Sequence, residues 1–160
     1  MKKVWLCALL LIMVLPAFGN AGASGRCCLT FAWERATGIS EGTFYTESPQ
    51  YQGGYGCPSS WGAAVVAEQH GWTVETAGRW SWNWVVDWAS RGGLIIYALP
   101  GDGYSGPDGL MHAYYCDTYD VSPPDYGAFW CYDICNQDGR WWNAQAMRDY
   151  WSGWAVGVFR

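Results

Sequence analysis

Ser81-Trp82-Asn83-Trp84-Val85-Val86-Asp87-Trp88-Ala89-Ser90-Arg91-Gly92-Gly93-Leu94-Ile95-Ile96-Tyr97-Ala98-Leu99 contains the change of period on which the fold turns. Trp80, Trp84 and Trp88 recur every four residues, the spacing that gathers side chains into one apolar stripe on a helix. Gly92-Gly93 stops that helix, and the short apolar run after it has the length and composition of a strand. Working upstream, residues 29–36 are ended by Gly38 and residues 58–70 by Gly71, which makes three helices in the N-terminal half. Downstream, residues 94–99, 111–116 and 128–133 read as strands between loops rich in Gly, Pro and Asp. A last helix over 143–151 leads through Gly153 into a closing strand, 154–159. The expected class is therefore α+β, N-terminal helices followed by an antiparallel sheet.

The chain opens with Met1-Lys2-Lys3, an unbroken apolar stretch from Val4 to Leu15, the helix breaker Pro16 and the small residues Ala21-Gly22-Ala23. That is the outline of a signal peptide over residues 1–23, too short to span a bilayer comfortably. The expected mature chain, 24–160, carries no repeat and no low-complexity linker, so it reads as a single domain that is secreted or periplasmic and keeps no membrane contact after cleavage. Both lysines lie in the leader. The mature chain thus sets seven arginines against fourteen carboxylates, a net charge of −7. That balance argues against nucleic acid and against anionic lipid as partners. Twelve tryptophans belong to the mature chain. Most are expected in the core, with some lining a groove or forming a carbohydrate-stacking surface.

Six cysteines remain after cleavage: Cys27, Cys28, Cys57, Cys116, Cys131 and Cys135. An even number in an exported chain suggests three bridges. With two histidines and no Cys-x-x-Cys pair, a zinc site is not expected, and no metal or other cofactor is called for.

Chemistry is most legible at Gln52-Gly53-Gly54-Tyr55-Gly56-Cys57-Pro58-Ser59-Ser60-Trp61. Pro58 suits the first turn of a helix, which would make Cys57 the capping residue at the positive end of the helix dipole, where a thiolate is stabilised. Gln52 and the Cys57 backbone N–H are placed to donate to an oxyanion. Only His70 and His112 could handle the proton. His70 stands at the far end of the Cys57 helix, nearly 20 Å away at about 1.5 Å per residue, which leaves His112. Asp133, with Asn136 as its substitute, is the candidate for orienting the imidazole.

This order of Gln, Cys at a helix start, His on a strand and Asp on the next resembles the papain-like cysteine peptidases, in particular the bacteriocin-leader-processing branch and its secreted relatives. Residues 57–71 are similar to the nucleophile helix. Gly93-Leu94-Ile95-Ile96-Tyr97 and His112-Ala113-Tyr114-Tyr115 resemble the strand pair that leads to the histidine. The likeness runs from Gln52 onward and departs from the family in Pro58 and Ile134, where Gly and Pro usually follow the nucleophile and the aspartate. It implies a papain-like fold and a hydrolase that cleaves an amide bond in a protein or peptide through Cys57, His112 and Asp133, with Gln52 steadying the oxyanion.

A second resemblance starts at Cys28-Leu29-Thr30-Phe31-Ala32-Trp33-Glu34-Arg35, which is similar to the nucleophile helix of CHAP amidases. It implies attack by Cys28 on peptidoglycan, again with His112 as base. If instead every cysteine is bridged, the chain is a disulfide-stabilised, Trp-rich secreted binding protein without catalysis. With Cys57 left free, the expected pairs are Cys116 with Cys131, on adjacent strands, and Cys27 or Cys28 with Cys135.

Overall fold

The computed structural model describes residues 27–48, 57–78, 82–98, 112–120, 127–134, 137–149 and 151–160. The expected signal peptide, Gln52, Tyr55, Trp80, Cys135 and Asn136 lie outside these residues.

Three helices come first: α1 (Cys28–Thr37), α2 (Glu41–Glu47) and α3 (Ser60–Gln69). Gly38 closes α1 in the left-handed conformation, φ 72°, and sends its N–H back to the Glu34 carbonyl. The N-caps of α2 and α3 are serines. Ser40 accepts from the Thr43 N–H, and the Ser59 hydroxyl accepts from the Gly62 N–H at 2.9 Å. Next come β1 (Thr73–Gly78), α4 (Trp82–Arg91), β2 (Leu94–Ala98), β3 (His112–Asp120), β4 (Ala128–Tyr132), β5 (Arg140–Asn143), α5 (Ala144–Asp149) and β6 (Trp151–Phe159).

The six strands form one antiparallel sheet in the order β1-β6-β2-β3-β4-β5. Its apolar residues are shared between two faces by the two-residue alternation of a strand. Leu94 and Ile96 join Tyr114, Cys116, Phe129 and Cys131 beneath Val85, Trp88 and Ala89 of α4 and Met147 of α5. Ile95 and Tyr97 point the other way, with Ala113, Val156 and Val158, against Trp33 of α1, Phe44 of α2 and Val66 of α3. An unbroken apolar strand such as β2 is what two covered faces require.

Trp88, in the stripe that marks α4 in the sequence, lies flat on the β6 backbone, where a Cβ at Gly157 would run into its ring. At Gly93, φ is 80° and a Cβ would collide with the Val158 carbonyl. Glycine there lets β2 start hard against β6, the Val158 N–H donating to the Gly93 carbonyl at 2.8 Å.

The α+β class and the antiparallel sheet are as the sequence leads one to expect. One correction concerns the order of elements: β1 comes between α3 and α4, so the sheet begins before the last of the N-terminal helices. A second concerns α3, which starts at Ser60 with Ser59 as its cap, placing Cys57 two residues ahead of the cap.

Candidate functional site

The Cys57 sulfur is bonded to Cys27 across a Cα separation of 6.1 Å. The two elements that carry them explain the pair. Cys27 caps α1, Cys57 leads into α3, and both helices pack on the same face of the sheet, so their starting ends meet. A sulfur in a disulfide has no thiolate to offer. This corrects the expectation that Cys57 is a free thiol and, of the two partners expected for Cys135, removes Cys27. Cys116 and Cys131 are bonded as the sequence suggests, being direct cross-strand partners on β3 and β4. Cys28 takes part in neither bond.

His112 is the first residue of β3, and its ring packs edge-on against Tyr114 with centroids 4.7 Å apart. Tyr114 belongs to the cluster under α4, so His112 sits on that side of the sheet. Asp133, fully buried, follows β4 and shares that face by alternation with Cys131. The structure thus brings two of the predicted site residues to one side of adjacent strands. Cys28 stands at the start of α1 and Cys57 ahead of α3, the helices that pack over Ile95, Tyr97 and Ala113.

Where the starts of α1 and α3 meet β2, a different cluster forms. The Tyr97 hydroxyl accepts from Ser60 Oγ at 2.7 Å and from the Trp33 indole Nε1–H at 3.2 Å. Burial pushes the Tyr97 phenol up to about 12, the two hydrogen bonds pull it back, and the negative charge that Cys28 can carry adds to the rise. Tyr97 is therefore a neutral phenol at physiological pH, tying two helices to the central strand. This clasp can hold the Cys28 end of α1 and the Ser60 end of α3 in register. The sequence carried one signal for it, a tyrosine inside the apolar run of β2, because a buried hydroxyl needs partners.

Among the described residues, no group of three or more His, Cys, Asp and Glu is arranged to hold a metal ion, and no helix is long and apolar enough to cross a membrane. No protein-family model matches the chain, and no curated protein matches it.

Proposed function

We propose that the protein is an exported, disulfide-stapled binding module on a papain-like framework, in which the position of the family's nucleophile serves as a staple. The Cys57–Cys27 bond carries this reading, because it removes the thiolate that Gln52, His112 and Asp133 were together expected to serve. The framework reading is supported by the order of α3, β2, β3 starting at His112 and β4 ending beside Asp133. Export is supported by the leader-like start of the chain and by two disulfides, which persist in oxidising compartments.

Alkylation of the purified mature protein without prior reduction, across a pH series, tests it. Cys57 is expected to stay unlabelled until a reductant is added. Labelling of Cys57 in the unreduced protein, persisting well below pH 8.5, would overturn the binding reading in favour of a Cys57 hydrolase acting on a peptide or protein.

One observation favours a second reading, an amidase using Cys28. Cys28 lies in neither disulfide and is the first residue of the ten-residue helix α1, the end of a helix that favours a thiolate. The same experiment decides: labelling of Cys28 that persists below pH 8.5 and weakens in His112→Ala supports the amidase.

A further inference from the structure

On the face of the sheet that carries Ile95 and Tyr97, α1 and α3 pack on β1, β6, β2 and β3. Over β4 and β5 the same face presents aromatic side chains instead. Tyr115 stands opposite Tyr132, and Thr118, Trp130 and Trp141 are register partners that make one row across β3, β4 and β5. The Tyr115 and Tyr132 rings stack at 5.8 Å, and Trp130 meets Trp141 edge-on at 5.3 Å. Trp141, on the edge strand, is 50% exposed, about one face of its ring, and Thr118 is exposed beside Trp130.

The inner rings are fixed from both sides. Gly139, φ 78°, sits so close that a Cβ there would meet Trp130 Nε1 at 2.6 Å and the Tyr132 ring at 2.7 Å. From α1, the Arg35 guanidinium lies 4.6 Å from the centre of the Tyr132 ring and donates to the Gln137 carbonyl. The surface is thus set before any ligand arrives, which lowers the entropy cost of binding to it.

Size and charge narrow what can lie here. Trp141 is half exposed and the other three rings less, so at about 150–250 Å² per aromatic side chain the four offer at most about 500 Å². A protein partner or a second copy needs about 800 Å² from each side. The edge strand β5 has four residues, too short to template a partner's strand. Arg35 at one end is balanced by Asp120, opposite Ala128 at the other, and by Asp138 in the turn, so an acidic ligand gains nothing. What fits is small, uncharged and flat, with C–H groups for the rings and hydroxyls for water and Thr118. A β-1,4-glucan has that form, because its ring substituents are equatorial, both faces of each sugar are apolar, and the linkage keeps the chain a straight ribbon.

We propose that this open face binds a neutral β-1,4-glucan chain, one glucose ring stacked on Trp141 and the chain running across the strands along Trp130 to the Thr118 hydroxyl. The inference rests on the binding-module reading and gives that module a ligand class. Stacking on a rigid indole supplies the affinity, and the exposed hydroxyl fixes the position of the chain.

Titration of the disulfide-intact protein with cellohexaose, followed by calorimetry and tryptophan fluorescence, tests this. Saturable binding is expected, at least about tenfold weaker in Trp141→Ala and about fivefold weaker in Thr118→Val, which keeps the side chain's shape and removes its hydroxyl. Thr118→Val, at an exposed position, keeps the readout if Trp141→Ala does not fold. Trp61→Ala removes a tryptophan of α3 that is 57% exposed and should leave the affinity unchanged. Maltohexaose, the same sugar in a curved α-linked chain, should bind at least about tenfold more weakly. Absence of saturation by cellohexaose, unchanged affinity in Trp141→Ala, or equal affinity for maltohexaose overturns the proposal. So does equal binding of decaproline, which would make the ligand a peptide, or a dimer in sedimentation that Trp141→Ala separates, which would make it a second copy. In each of these cases an unlabelled Cys57 still leaves the binding module standing with another ligand. Labelling of Cys57 without reduction removes the module reading whatever the titration gives.

Discussion

Cys57 is bonded to Cys27, a residue 30 positions earlier, and through that bond the start of α3 is tied to the start of α1. The tie holds two helices that lie side by side over Ile95, Tyr97 and Ala113. The residue that reads as a nucleophile in the sequence works as a staple in the fold.

Removing that staple should destabilise the protein without changing its fold. Closing a loop of this size stabilises by about 3.6 kcal/mol, mainly by restricting the unfolded chain. Cys27→Ser with Cys57→Ser is therefore expected to lower the urea midpoint and to steepen the slope, because the unbridged unfolded chain exposes more surface, measured by tryptophan fluorescence. An unchanged midpoint would show that the bond contributes nothing.

Tyr97→Phe should leave Trp33 Nε1–H and the Ser60 hydroxyl without their shared acceptor, at a cost of about 1–3 kcal/mol. The pH dependence has a definite sign. The folded-state phenol is held near 12, above its ordinary value of 10, so the unfolded chain loses this proton first as pH rises. Tyr97 thus contributes stability that is fully present below pH 10 and is lost as pH climbs towards 12, about 2–3 kcal/mol over the window. Denaturant titrations at pH 8, 10 and 11 should show a smaller alkaline loss in Tyr97→Phe than in the parent protein.

Two glycines with nearly the same backbone angle should respond very differently to alanine. Gly71 has φ 83° and open space around it, so Gly71→Ala carries only the left-handed backbone penalty, about 1–2 kcal/mol. Gly93, φ 80°, faces the Val158 carbonyl, so Gly93→Ala adds a steric clash at the β2–β6 junction. Thermal melts should give a clearly larger loss at Gly93. Equal losses would mean that the strand junction yields easily.

Ser59→Ala tests where α3 begins. Loss of the bond from the Gly62 N–H to the Ser59 hydroxyl is expected to cost about 1 kcal/mol. No change on this substitution, read by the same denaturant midpoint, would return the cap to Cys57.

What the sequence conveyed well were the buried elements. The helices over 28–37 and 82–91 and the strands over 94–98 and 128–132 fall within two residues of the expected bounds. Their apolar spacing reflects a face packed against something, and their glycines mark real stops. The missed strands, β1 and β5, are the two edges of the sheet. An edge strand pairs on one side only, so hydropathy leaves little trace in Thr73–Gly78 or in the four residues of β5. The helix α2 is seven residues long with Gly42 inside it, too short for a period to emerge.

The candidate site was legible in part for a related reason. Alternation along a strand is local, and it placed His112 with Tyr114 and Asp133 with Cys131 on one face once the strands were known. The Cys116–Cys131 pair was readable because two neighbouring strands with matching burial bring cysteines opposite each other. Cys57 was not readable in this way. Its helix lies on the sheet face opposite to His112, and which face a helix covers depends on the path of the chain between elements.

By itself, then, the amino-acid sequence determined the periods and stops of the buried elements, the excess of negative charge and the cross-strand disulfide, all of which follow from local spacing and composition. Only the tertiary structure decided that Cys57 meets Cys27 and that Tyr97 clasps Trp33 and Ser60. Those meetings bring together residues up to 64 positions apart, and their distances are set by how helices are laid on the two faces of a sheet.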